Sequence, residues 1–143
     1  PRSGRQRRAI EGSPHPATVS LFRLGRTLKY KNKPGRDLES LRSELLALMG
    51  YLETVVVTAG EPWARLRDAV ESATRKSELR VVEDQVDAVV CAYVGLFADT
   101  HPEATTTYVG PDGGWEDGYV VVPTLPDDLE PSPRRARPRA DPV

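Results

Sequence analysis

The chain has 143 residues, of which 38% are hydrophobic and 29% charged. That is one domain's worth of protein, and no apolar run approaches the roughly 20 residues that a membrane-spanning helix needs. One cysteine and two histidines exclude a disulfide framework and argue against a structural zinc site. The net charge of −1 conceals a segregation: residues 1–36 carry ten Lys/Arg against one acid, residues 37–130 six against nineteen, and residues 131–143 four Arg against one Asp. A basic front before an acidic body points to a polyanionic partner, or else to a solvated basic arm. No basic start with an apolar core marks a signal peptide, so the expected location is cytoplasmic.

In chain order, residues 1–6 read as a disordered start. Arg8–Glu11 is a short strand candidate, closed by Gly12-Ser13-Pro14. Pro14 and Pro16 then open a helix, because a proline in the first turn removes an N–H that would be unpaired there anyway. Val19, Leu21 and Phe22 give it an apolar face, and Gly25 is placed to end it. Residues 26–36 form a basic loop with one aromatic, Tyr30, between two lysines.

Asp37 heads a helix in which Leu38, Leu41, Leu45, Leu48 and Leu52 recur at helical spacing. Residues 54–58 hold three successive valines and fit a short strand or an extended linker. Glu61-Pro62-Trp63 opens a third helix, with Trp63, Leu66, Val70 and Ala73 as its buried stripe. A polar break at Thr74–Glu78 separates it from a helix over Val81–Phe97, with Val82, Val86, Val89, Val90, Tyr93 and Phe97 on one side. Thr105–Val109 and Tyr119–Val122 then form a β-hairpin around the turn signal Gly110–Gly114. From Pro126 onward, five prolines and four arginines mark a disordered tail.

The common phosphate-loop, dinucleotide, zinc-protease and serine-esterase motifs are absent. Cys91 lies among apolar helix residues and reads as a small core side chain. What remains is carboxylates. Glu11 ends the first strand candidate, and Asp84 and Asp87 lie three apart, on one helix face. Strand-end and helix carboxylates brought together can hold Mg²⁺ or Mn²⁺. Alternatively, Asp84 caps its helix and Glu11 pairs with an arginine.

Four stretches resemble the domain of unknown function 429 family, described as predicted RNase-H-like nucleases. They are Ile10-Glu11-Gly12-Ser13-Pro14-His15-Pro16, Leu28-Lys29-Tyr30-Lys31, Asp84-Gln85-Val86-Asp87-Ala88 and Gly118-Tyr119-Val120-Val121-Val122-Pro123, in the family's order, within about residues 7–125. The resemblance implies an α/β, RNase-H-like fold, helix-rich and closed by the hairpin. It implies metal-dependent phosphodiester hydrolysis of nucleic acid. Glu11 and Asp87 would be the metal-binding catalytic acids, and Asp84 a third catalytic acid. His15 would orient a carboxylate or touch a phosphate, or only start a helix. Arg26, Lys29, Lys31, Lys33 and Arg36 would meet backbone phosphates. Tyr30 would stack on a base or anchor the loop. Gly12 and Ser13 stand where the family has larger residues, so this strand end is expected to pack less well. The fold's first strand, with its aspartate, has no counterpart before Ile10, so the chain is expected to be a C-terminal portion, with activity in doubt. A non-catalytic nucleic-acid-binding or protein-interaction remnant of the fold is the alternative.

Overall fold

The computed structural model describes residues 10–56, 60–110 and 118–133. The first helix, α1, spans Pro14–Leu21, with Pro14 in its first turn as the proline pattern predicts. Its buried residues are Ala17, Thr18 and Ser20. The expected apolar face of Val19, Leu21 and Phe22 is therefore only half-buried, because the small residues make the closest approach to the core. Nor does Gly25 end the helix. Phe22 caps it, and Arg23 turns the chain in the left-handed region at φ 52°, unusual for a residue with a Cβ.

Helix α2 covers Leu38–Glu53, and the carboxylate of Asp37 accepts the Ser40 N–H at 2.7 Å as its N-cap. Leu41, Leu45, Leu48 and Leu52 are buried as their spacing requires, together with Met49. Thr54–Val56 turn back on the helix end, with both Val55 and Val56 N–H groups donating to Leu52 O. The other residues of the valine stretch lie outside the described residues.

Helix α3 runs over Glu61–Ser72, and Val70 and the following Ala73 are buried. Trp63 and Leu66 pack half-buried against the core. Arg42 of α2 ties the two helices together by donating to the carbonyls of Val70 and Ala73.

Helix α4 is longer than the periodicity predicts, spanning Lys76–Thr100. Its first turn is polar and carries no apolar signal. It forms because Glu78 reaches back to accept the N–H groups of Thr74 and Arg75. Leu79, Val82, Val86, Val90 and Val94 bury its inner stripe. Cys91 departs from expectation: it is exposed, one step around the helix from buried Val90.

A short 3₁₀ turn at Pro102–Ala104 leads into β1, Thr105–Val109, which pairs antiparallel with β2, Tyr119–Pro123. The register sets Thr105 opposite Pro123 and Val109 opposite Tyr119, which bears out the predicted hairpin. Of the predicted turn, residues 111–114 lie outside the described residues. Of the first strand candidate, Arg8 and Ala9 lie outside the described residues; the segment after it makes one parallel bridge, Gly12 with Val121, sealed by the Val121 N–H on Glu11 O at 2.8 Å. A Cβ at Gly12 would sit 3.5 Å from Val94, so this segment runs close over α4.

The core lies where α2, α3 and α4 meet, and β2 and α1 cover the remaining side of α4. The whole is a helix-rich α/β arrangement with a small antiparallel sheet. Beyond β2, Asp128 accepts an ion pair from Arg23 at 2.8 Å, and the Ser132 N–H donates to Gly25 O at 2.6 Å. Gly25 admits this approach because a Cβ there would meet Ser132 Oγ at 2.3 Å. Residues 1–6 and 134–143 lie outside the described residues, and among those described no helix is long and apolar enough to cross a membrane.

Candidate functional site

The loop between α1 and α2 positions most of the candidate residues. Burial alternates along residues 28–30. Leu28 and Tyr30 are buried, and Lys29 between them is exposed. Tyr30 thus anchors the loop, and its buried ring offers no face to a base. Its hydroxyl donates to Asp87 Oδ1 at 2.7 Å. Burial first, then this hydrogen bond, pushes the Tyr30 phenol far above its ordinary range.

Lys31 follows at once and reaches the same helix. Its ammonium lies 2.8 Å from Glu83 Oε1, pairs with Asp87 Oδ2, and stands 3.9 Å from Asp84 Oδ1. Residues 83 and 87 are one helical turn apart, which aims both carboxylates at one nitrogen. Burial works against the charge on Lys31. The hydrogen bonds to Asp87 and Glu83 outweigh it, and the ammonium is held above its usual range.

Glu83 is buried, Asp87 half-buried and Asp84 exposed. Because α4 starts at Lys76, Asp84 lies well inside the helix and caps nothing. The sequence did not single out Glu83. The available signal was its position: it falls on the inner stripe with Leu79, Val82 and Val86, where an acid must find a partner.

His15 stands in the first turn of α1, half-buried, with its ring centroid 5.2 Å from that of Tyr30. Burial lowers its pKa from the ordinary 6.5; the positive charges of Lys31, Lys33 and Arg36 add to this and Asp87 opposes it. It therefore touches the tyrosine that holds Asp87, while among the described residues no hydrogen bond links its ring to a carboxylate.

The other basic residues divide. Arg26 grips both oxygens of Glu44, at 2.9 and 2.6 Å, and the Lys29 N–H adds a third bond to that carboxylate at 2.8 Å. Arg26 holds the Glu44 carboxyl below its usual range, and this pair braces the loop on α2. Arg36 donates to Lys31 O at 2.7 Å. The side chains of Lys29 and Lys33 are exposed, and among the described residues neither forms an ion pair.

Glu11 is exposed, and its backbone secures it to β2. No hydrogen bond or ion pair among the described residues joins its side chain to Asp84, Asp87 or an arginine. Nor does any group of three or more His, Cys, Asp or Glu among them gather as a metal site would. The structure therefore brings together His15, Tyr30, Lys31, Glu83 and Asp87, with Asp84 at the rim.

Compared with known families, the chain matches Protein of unknown function (DUF429) over residues 1–112. It belongs to that family. The match takes in the Ile10–Pro16, Leu28–Lys31 and Asp84–Ala88 stretches and ends before β2. No curated protein and no solved structure matches the chain. Within this DUF429 chain, the polar cluster joins two of the matched stretches, because Tyr30-Lys31 closes on Asp87.

Proposed function

We propose that this chain forms part of a metal-dependent nuclease of RNase-H-like fold that hydrolyses phosphodiester bonds in a nucleic acid. The observation that carries this reading is the setting of Asp87. It is a half-buried carboxylate in the middle of α4, gripped at one oxygen by the Tyr30 hydroxyl and at the other by the Lys31 ammonium. A carboxylate fixed at both oxygens is oriented in advance, and the basic loop beside it draws backbone phosphates.

Carboxylate oxygens are the donors that a hard divalent cation takes. Glu83 and Asp87 are both carboxylates, and their oxygens already share one cation, the Lys31 ammonium. Asp87 would hold Mg²⁺ or Mn²⁺, with Glu11 the partner that the family resemblance implies and Asp84 a further acid. When bound, the ion supplies a water of lowered pKa and positive charge against the leaving oxygen.

The chain's own residues do the rest. Tyr30 and Lys31 orient Asp87. Lys29, Lys33 and Arg36 meet phosphates, while Arg26 stiffens the loop through Glu44. His15 backs the Tyr30 ring.

The test is cleavage of labelled DNA and RNA oligonucleotides with Mn²⁺. Asp87→Asn abolishes cleavage and leaves binding equal or tighter, since a negative charge near phosphates is removed. Cleavage that survives this change refutes the assignment. A second reading, nucleic-acid binding without catalysis, is favoured by the Lys31 bridge, which leaves Glu83 and Asp87 already paired. It predicts salt-dependent binding with no cleavage by the unaltered chain.

A further inference from the structure

We infer that the arginine-rich end of the chain and the loop between α1 and α2 form one surface, which grips the backbone phosphates of a single nucleic acid. The inference rests on the reading that this chain binds nucleic acid. It names where that partner lies and is independent of cleavage.

Three observations carry it. First, the segment beyond β2 is tied back to the end of α1 and the start of that loop. The Thr124 N–H donates to Ala104 O at 2.8 Å, Asp128 pairs with Arg23 at 2.8 Å, and the Ser132 N–H donates to Gly25 O at 2.6 Å. Gly25 permits the last tie, since a Cβ there would meet Ser132 Oγ at 2.3 Å and Ser132 N at 3.0 Å. Pro131 and Pro133 flank Ser132 and reduce the entropy lost in holding it.

Second, the charge changes sign at that tie. Asp127, Asp128 and Glu130 precede Ser132, whereas Arg134, Arg135, Arg137 and Arg139 follow it, with Asp141 the one acid after them. Arg134 and Arg135 come two and three residues after Ser132. Three residues of chain span about 11 Å at most, so covalent connection alone delivers these two charges to the start of the loop.

Third, the loop has cations to spare. Arg26 is spent on Glu44, and Lys31 on Glu83 and Asp87. Lys29 and Lys33 are exposed, and among the described residues neither forms an ion pair. Arg26 and the Lys29 N–H share Glu44, which fixes the first residues of the loop on α2. Two sets of like charge joined in this way repel each other, and a polyanion relieves both. Arginine fills the segment after the tie, and its planar fork matches phosphate oxygens. Once the loop holds one phosphate, the tethered arginines meet the next at high effective concentration.

The test uses the full chain and a labelled single-stranded oligonucleotide, as DNA and as RNA, with binding read by fluorescence anisotropy over a series of salt concentrations. Arg134→Ser, Arg135→Ser, Arg137→Ser and Arg139→Ser, combined, should weaken binding about tenfold or more at low salt and lower the salt slope by about one to three. Two further variants cut the tie and alter no charge. Ser132→Pro removes the N–H that donates, and Gly25→Ala crowds Ser132 away. Each should weaken binding roughly threefold or more, because the arginines are no longer held at the loop. Ser132→Pro keeps the test valid if Gly25→Ala disturbs the loop.

Unchanged affinity and salt slope in the arginine variant overturn the inference, as does full affinity in folded Ser132→Pro. So does competition by polyglutamate as strong as that by an oligonucleotide of equal charge, which would mark an acidic protein as the partner. If any of these occurs while Asp87→Asn still abolishes cleavage, the shared surface falls and the nuclease reading stands. If the variants weaken binding but the unaltered chain cuts nothing, the surface stands and the nuclease reading falls. Failure to bind any oligonucleotide overturns both.

Discussion

His15 is the imidazole of the cluster, its ring centroid 5.2 Å from that of Tyr30. Burial chiefly disfavours its imidazolium, and the nearby cations Lys31, Lys33 and Arg36 reinforce this against Asp87. The folded chain therefore resists a proton that the unfolded chain accepts near the ordinary value of 6.5. Stability linked to His15 is full above that value and is lost as pH falls through it toward the lower folded pKa. Melting temperatures taken from above 6.5 to below it should decline, and His15→Gln should flatten that part of the profile. An unchanged slope in His15→Gln would show that the imidazole is not the group involved. At this scale the sequence was partly legible. The resemblance drew attention to Tyr30, Lys31 and Asp87, and the structure sets them in contact. It also pointed to Glu11, which no described contact brings to them. Glu83 went unread because a single acid next to another acid looks like part of a solvated face. Its place on the inner stripe was the signal passed over, and the fold adds its partner, a lysine from a distant loop.

The helices show which sequence signals reach the structure intact. Helix α2 was legible because its leucines repeat at the helical period and Asp37 stands at its start. Asp37 accepts the Ser40 N–H, and this bond lowers the pKa of its carboxyl, so Asp37→Ala should lower the midpoint of chemical denaturation. A loss near zero would mean that solvent replaces the cap. The hairpin was legible through its β-branched run and its concentrated turn residues. The start of α4 was not, since Lys76–Arg80 is mostly polar and is stabilised by Glu78 bonding to backbone groups instead of by burial. The face of α1 was misread for a related reason. Hydrophobicity favours Val19 and Phe22, but close packing on α4 and β2 selects the small residues Ala17, Thr18 and Ser20. The bridge at Gly12 was not legible, because a glycine adds nothing to a hydropathy pattern.

At the scale of the molecule, charge segregation takes on a different meaning once contacts are known. The basic front and the acidic body partly neutralise each other, through Arg26 on Glu44 and Lys31 on Glu83 and Asp87. These pairings are long-range in sequence, so composition alone does not show them. Among the described residues of the basic front, Lys29, Lys33 and Arg36 form no ion pair, and all three lie in the loop next to Asp87.

The central claim is that Asp87 marks the place where a divalent cation binds the folded chain. The most direct measurement is a thermal melt of the chain and of Asp87→Asn, each with increasing Mn²⁺. Selective binding to the folded form raises the midpoint with concentration. The account predicts a rising midpoint for the unaltered chain and a flat one for Asp87→Asn. An equal rise in both, or no rise in either, would contradict it.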